Sequence, residues 1–336
     1  MKNLTLFLGV ALSAGVVGVS GCETIVDVDA PPHVPRLALS YTLSNSPAAT
    51  SQSFFSVRNL FVSTSQGVLE TKEPRGRGDA IVQLFDDSGQ LVELFRSKAQ
   101  PGYSYSGSKT DSVYGNYVPV RGFAGVPGRT YTLRASAPGV AAVEATLTLP
   151  PVPVIESAGY VAQPGNPNGG GGYTYNAGRL SVSIADNAAT TDYYLTYARV
   201  LDRQGNYWGN VARDYNRSGT DINLSRLQLS EPGSSYGQYP YSDAGSNGQR
   251  VAFGTDVRLF YQGGYNPNNP TPPEPGYLEV IVSSITPDTY RFYQSLGRYY
   301  DTDGNPFAEP APLHSNIRPG YGLFGGATDV VYRIKL

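Results

Sequence analysis

Pro127-Gly128-Arg129-Thr130-Tyr131-Thr132-Leu133-Arg134-Ala135 is followed, after Pro138-Gly139, by Ala141-Ala142-Val143-Glu144-Ala145-Thr146-Leu147-Thr148-Leu149. In the first run Tyr131, Leu133 and Ala135 alternate with Thr132 and Arg134. In the second, Ala141, Val143, Ala145, Leu147 and Leu149 alternate with Ala142, Glu144, Thr146 and Thr148. A period of two is the mark of a strand with one buried face. Each run follows a Pro-Gly pair, which turns the chain.

The same pattern extends upstream. Leu37, Leu39 and Tyr41 share one face of a first strand, and residues 79–86 read as a second. Asp87-Ser88-Gly89 then turns into Leu91-Val92-Glu93-Leu94-Phe95, a hairpin signal. Short strands between Gly and Pro turns predict an immunoglobulin-like β-sandwich over residues 35–150. Pro150-Pro151-Val152-Pro153 marks a boundary, and residues 151–336 form a second β-rich domain. There a Gly- and Asn-rich loop occupies residues 164–172, and strand patterns recur at Leu180-Ile184, Tyr193-Tyr197, Val251-Phe253, Val257-Tyr261, Leu278-Val282 and Val330-Ile334. Residues 206–250 read either as a long surface loop or as weak strands. One short helix is expected near 287–297: Thr286 caps it, Pro287 takes the first position, and Tyr290, Tyr293 and Leu296 follow at helical spacing. The fold class is therefore all-β, a sandwich followed by a second β-rich domain with one short helix.

The N-terminus predicts the compartment. Lys2 precedes an uncharged apolar run from Leu4 to Val19, and Ser20-Gly21-Cys22 follows. This is the build of a secretory signal peptide, residues 1–21. Val19-Ser20-Gly21-Cys22 resembles the lipobox of bacterial lipoproteins, in which the Cys becomes the N-terminus and carries acyl chains such as palmitate. Cys22 is the single cysteine, so no disulfide forms within the chain. Residues 22–34 then read as a lipidated tether, with Pro31 and Pro32 unsuited to a central strand.

With 25 basic and 27 acidic residues, the charge is too near neutral to suggest nucleic acid as a partner. The two histidines, His33 and His314, and one cysteine leave no zinc spacing. There is no P-loop and no Gly-x-Ser-x-Gly elbow, and a Ser-His-Asp site would have to use His314. No catalytic residue and no cofactor is expected. Asp301, Asp303 and Asn305 alternate in a spacing that suits calcium, but the distal Glu of an EF-hand is missing, and a polar turn is the preferred reading. Two Tyr-rich clusters are candidate surfaces for a glycan or peptide ligand: Tyr103, Tyr105, Tyr114 and Tyr117, and Tyr207, Trp208, Tyr236, Tyr239 and Tyr241. Tyr and Trp on adaptable loops give large contact area at low entropy cost. A chain with 26 tyrosines will also place some of them on strand faces for packing alone.

Ser315-Asn316-Ile317, followed by Gly320-Tyr321-Gly322-Leu323-Phe324-Gly325, resembles the closing signature of a family of Bacteroidota lipoproteins, domain-of-unknown-function family 4249. Tyr290-Arg291-Phe292-Tyr293 stands where that family has an aromatic helix. Ala80-Ile81-Val82-Gln83-Leu84 and Pro127-Gly128-Arg129-Thr130-Tyr131-Thr132-Leu133 are similar too. Arg318-Pro319 departs from the more glycine-rich stretch expected there. The resemblance implies an outer-membrane lipoprotein, often encoded beside a TonB-dependent receptor, with no established activity. The signature itself reads as a structural turn, with Asn316 and the glycines able to take positive φ and with Leu323 and Phe324 plugging into the second domain.

The functional expectation is a non-catalytic outer-membrane lipoprotein, held by acylated Cys22 and exposed at the cell surface or the periplasmic face. It would partner a TonB-dependent transporter in nutrient binding or uptake. An adhesin-like or envelope-scaffold protein is the alternative, and a glycan hydrolase the distant third.

Overall fold

The computed structural model describes residues 32–47, 54–67, 70, 76–97, 115–163, 175–214, 229–245, 247–261, 275–302 and 311–336. The signal peptide and tether residues 22–31 lie outside them. Residue contacts divide the chain into Met1–Val34 with Gly67–Thr71, and Pro35–Gln66 with Lys72–Leu336. In the smaller unit the Glu70 N–H donates to the Gly67 carbonyl at 3.0 Å. The larger unit holds both sheets and the helix. No helix among the described residues is long and apolar enough to cross a membrane.

Five strands form the smaller sheet: β3 (Ile81–Asp86), β4 (Leu91–Ser97), β5 (Tyr117–Pro119), β6 (Thr130–Ser136) and β7 (Val143–Thr148), in the order β5-β4-β3-β6-β7. The alternation read from the sequence holds within the strands, while Ala141, read as inward-facing, is exposed ahead of β7. Tyr131, Leu133, Ala135, Val143, Ala145 and Leu147 are buried, while Arg134, Glu144, Thr146 and Thr148 face solvent. On that outer face Thr130 bonds Thr148 at 2.8 Å, Thr132 bonds Thr146 at 3.0 Å, and Arg134 pairs with Glu144 at 2.6 Å. The β3–β4 turn is tied by Asp86 Oδ1, which accepts the Ser88 and Gln90 N–H groups, with Gly89 at φ 79.

The larger sheet contains β1 (Leu37–Ser44), β2 (Phe61–Thr64), β8 (Val154–Gln163), β9 (Tyr175–Ala185), β10 (Tyr193–Asp202), β11 (Tyr207–Arg213), β12 (Tyr241–Ser242), β13 (Val251–Tyr261), β14 (Pro275–Ile285) and β15 (Tyr321–Lys335). Its order is β2-β1-β15-β14-β10-β11-β13-β9-β8, with β12 paired to β10. The sheet curls. Ile155, Ala158 and Tyr160 of β8 share a core with Leu180, Phe253, Val280, Val282, Val330 and Ile334. The stretch 206–250 thus supplies β11 and β12 to the sheet.

The chain passes from one sheet to the other between β7 and β8, at Pro150–Pro153. Yet β1 and β2 belong to the larger sheet, because β1 runs parallel to β15 from Ala38↔Tyr321 to Ser44↔Ala327. The smaller sheet packs on this β2-β1-β15 end, so Leu37, Leu39 and Val62 share a core with Leu84, Leu133, Ile317 and Phe324. Residues 35–150 therefore do not close their core alone. Phe324, expected to plug into the second domain, is instead fully buried in the sandwich core, stacked on Tyr41 at 6.0 Å. Full burial of such a side chain contributes about 1.5–3 kcal/mol.

The helix, α1, runs Pro287–Thr302, past Gly297. Thr286 caps it, its Oγ1 accepting the Thr289 N–H at 3.4 Å. Tyr293 and Leu296 bury against Leu195, Tyr197, Ile281, Ile285 and Ala327, on the face of the larger sheet opposite the curled core. The signature glycines explain themselves here. A Cβ on Gly322 (φ 109) would sit 1.9 Å from the Leu39 carbonyl oxygen, so the parallel approach of β1 to β15 requires glycine. Gly326 comes close to the cap, its N–H reaching Thr286 Oγ1 and Thr289 Oγ1 at 3.3 Å each.

Candidate functional site

Beyond the edge of α1, the same sheet face carries one side chain from each of five strands in a transverse row. Arg333 on β15 faces Glu279 on β14, Glu279 faces Arg199 on β10, Arg199 faces Asn210 on β11, and Asn210 faces Phe260 on β13. Glu279 is only 1% exposed. Its Oε1 accepts Arg199 Nε at 2.6 Å and its Oε2 accepts Arg333 Nε at 2.8 Å. A buried carboxylate is tolerable in this setting because both oxygens are paired with cations.

Strict alternation would place Tyr207 and Asn210 on opposite faces. The β10–β11 pairing, however, goes from Val200↔Gly209 to Leu201↔Tyr207, so Trp208 is the extra residue of a β-bulge. The bulge puts Tyr207 on the face of Asn210, and its phenol donates to Asn210 Oδ1 at 2.7 Å. Burial pushes the Tyr207 phenol above its ordinary value, with the charge of Arg199 opposing. It is a protonated donor at neutral pH.

Two loops wall this floor. Phe54 lies over the Arg199 guanidinium, 5.0 Å from its centre, and touches Tyr207 at 6.3 Å between ring centroids. Its segment is anchored by Arg58, which is 8% exposed and pairs with Asp329 (7%) at 2.6 Å, with Ser283 also bonded. Arg58 also lies 3.7 Å from the Phe55 ring. The second wall is Glu231–Ser234. Gln238 Nε2 donates to the carbonyls of Glu231 and Ser234, and Gln238 Oε1 accepts the Tyr197 phenol at 2.7 Å. The Val57 N–H joins the two walls through the Pro232 carbonyl at 3.3 Å. Between walls and floor lies an open cavity of about 680 Å³, lined by Phe54, Arg199, Tyr207, Asn210, Glu231 and Phe260 among others. That volume falls within the usual range for small-molecule sites.

A family model described as Domain of unknown function (DUF4249) matches residues 23–333. The chain belongs to that family. No curated protein matches the chain.

In this DUF4249 chain the Tyr clusters read from the sequence separate. Tyr103, Tyr105 and Tyr114 lie outside the described residues. Tyr117 is buried and structural, its hydroxyl donating to the Arg77 carbonyl at 2.7 Å and accepting the Ala80 N–H at 2.9 Å. Of the second cluster, Tyr207 lines the groove and is 51% exposed. Trp208 points to the other face and packs on the curled core. Tyr241 is buried there, bonded to Thr196 at 3.0 Å. Tyr239 is half-buried, its N–H donating to Ser230 Oγ at 3.0 Å. Tyr236 is 64% exposed and stacks on Tyr300 of α1. Arg199, Asn210 and Phe260 escaped the sequence reading because strand order joins them, and Phe54 and Glu231 because loops bring them over that face.

Of the calcium candidates, Asp301 is exposed in the last turn of α1, and Asp303 and Asn305 lie outside the described residues. A different acidic group comes together: carboxylate oxygens of Asp186, Asp192 and Asp243 lie within 4.8 Å of one another, a spacing that would let them share a cation. Asp186 accepts the Tyr194 phenol at 3.0 Å and the Gly248 N–H at 2.7 Å. Burial first, then the neighbouring carboxylates, hold Asp192 and Asp243 above the usual carboxylate range. At His314 the ring bonds Asp288 at 2.8 Å, but Ser295 Oγ meets the His314 backbone N–H rather than the ring. A Ser–His nucleophile pair is not formed there.

Proposed function

We propose that this chain is a non-catalytic lipoprotein of the outer membrane, anchored through acylated Cys22. It partners a TonB-dependent transporter and binds or hands over a nutrient. The observation that carries the reading is the groove: an open cavity on a rigid sheet, with aromatic walls and a fixed polar floor, suits reversible capture of a ligand. The lipobox-like Val19-Ser20-Gly21-Cys22 supports the membrane anchor. Purification of the intact protein from native membranes in mild detergent tests the partnership. The transporter should co-elute, and a chain that emerges alone while the transporter is present in the extract refutes it.

An adhesin or scaffold role has one observation in its favour. Among the described residues β8 ends the order of the larger sheet and leaves Val154 and Val161 exposed, 58% and 68%, a surface suited to strand addition. Deleting the gene separates the readings, since growth on one nutrient should suffer only under the first.

A further inference from the structure

We propose that the groove over β10 and β11 takes a neutral oligosaccharide, an inference that rests on the nutrient-binding reading above. The charges of the site argue first. Arg199 is the cation that could have recognised a carboxylate or phosphate, yet its Nε and Nη2 edge is spent on Glu279. Its face is covered by Phe54. The side-on edge that would grip an anion bidentately is thus taken, and only the Nη1 end of the guanidinium remains. Glu279 is shared with Arg333, and the single positive charge left on the three is balanced by Glu231 on the wall. Among the described residues the groove therefore has no net charge with which to select an ionic ligand.

The backbone argues second. An extended peptide gains affinity by adding a strand to a sheet edge. The floor here is a sheet face, in which the backbones of β10, β11 and β13 are already paired with one another. The floor offers no main-chain recognition to a peptide.

What remains suits a polyol. Phe54, Tyr207 and Phe260 give apolar ring faces on which the C–H faces of sugar rings can lie. Tyr207 occupies Asn210 Oδ1 and so leaves Asn210 Nδ2 as a donor, while the exposed Glu231 carboxylate is an acceptor. A planar donor and a planar acceptor match neighbouring hydroxyls that both give and accept hydrogen bonds. The cavity is open to solvent, which lets a chain of sugars run through it.

Calorimetric titration of the full-length lipoprotein, held in a sugar-free zwitterionic detergent, tests this. The probes are maltohexaose, cellohexaose, laminarihexaose, xylohexaose and mannohexaose, with hexagalacturonate and hexa-alanine as charged and peptide comparisons. At least one neutral hexasaccharide should bind. Tyr207→Ala should weaken it at least tenfold, Asn210→Ala several-fold, and Tyr236→Ala not at all. Tyr207→Phe keeps the ring and loses the hydroxyl that orients Asn210, so it should weaken binding several-fold even if Tyr207→Ala fails to fold. Failure of all five neutral probes at millimolar concentration overturns the proposal. So does Tyr207-dependent binding of hexagalacturonate or hexa-alanine alone. Transporter co-elution, scored on the same preparation, separates the two readings: sugars refused with the transporter present sink the ligand class, and a lone chain sinks the partnership.

Discussion

Asn316 pairs with Phe324 as though the two stood on adjacent strands: its Oδ1 accepts the Phe324 N–H at 2.9 Å and its Nδ2 donates to the Phe324 carbonyl at 2.8 Å. The amide thereby replaces a backbone partner on the side of β15 that β1 does not reach. It holds the signature in the geometry that sends the Phe324 ring onto Tyr41. Asn316→Ala leaves both Phe324 groups unpaired and should cost about 1–3 kcal/mol. Asn316→Asp should cost at least as much, since a carboxylate then faces the Phe324 carbonyl. Urea melts of the two variants check this, with an unchanged midpoint as the contrary result.

The signature's role in closing the sandwich could not be read from alternation. Periodicity identified Tyr131–Ala135, Val143–Leu149 and residues 79–86, because each has one buried face and a local turn to bound it. It identified the start of α1, since Thr286 and Pro287 act within one turn. The β1–β15 pairing joins residues nearly a whole chain apart, and no local pattern encodes it. The groove was legible only at Tyr207. The bulge at Trp208 breaks the very alternation a reader relies on, and the row from Arg333 to Phe260 exists only once β15, β14, β10, β11 and β13 lie in that order.

Gly322 tests the parallel pairing directly. With φ at 109 and the Leu39 carbonyl oxygen 1.9 Å from where a Cβ would stand, alanine must push β1 away from β15. Gly322→Ala should cost about 3 kcal/mol or more, through strain and lost pairing together. Gly297→Ala, on the helix with nothing near its would-be Cβ, should be neutral or stabilising by up to about 1 kcal/mol. Chemical denaturation of both variants gives the comparison, and equal effects would refute the account.

Arg58 and Asp329 form a buried pair that also seats the Phe54–Phe55 wall. Removing one partner leaves the other charge buried and alone, which typically costs about 3–5 kcal/mol. Arg58→Ala should therefore lower stability strongly. Asp329→Asn should do so less, as the amide still accepts a hydrogen bond. A larger loss in Asp329→Asn than in Arg58→Ala, read from urea midpoints, would contradict this ordering.

The cluster of Asp186, Asp192 and Asp243 should make stability depend on pH in a particular sense. Asp192 and Asp243 are raised above 3.8 in the folded chain, first by burial and then by the charge of Asp186, with Asp192 adding to the effect on Asp243. The folded state thus holds protons more tightly than the unfolded state at these sites. Their contribution is greatest below the unfolded value and is lost as pH rises through the folded one. Asp86 and Asp202, both lowered, act in the opposite sense, so the cluster must be isolated by difference. Asp243→Asn should raise Tm at pH 7, and its advantage over the unmodified protein should shrink as pH falls toward 4. An advantage that grows on acidification would reverse the sign and refute the assignment.

Cys22 is the residue on which the membrane reading turns. Each buried methylene contributes about 0.8 kcal/mol, so one chain holds a protein only marginally and stable anchoring takes a second signal. No described helix offers an alternative span. Cys22→Ser should therefore abolish incorporation of labelled palmitate and move the protein from the membrane pellet to the soluble fraction. Cys22 lies outside the unit of Pro35–Gln66 and Lys72–Leu336 that holds both sheets, so the soluble variant should keep the melting temperature of the anchored protein and bind any groove ligand with the same affinity. A Cys22→Ser protein that still takes up palmitate, or still sediments with membranes after a high-salt wash, would show that something other than this thiol holds the chain to the bilayer.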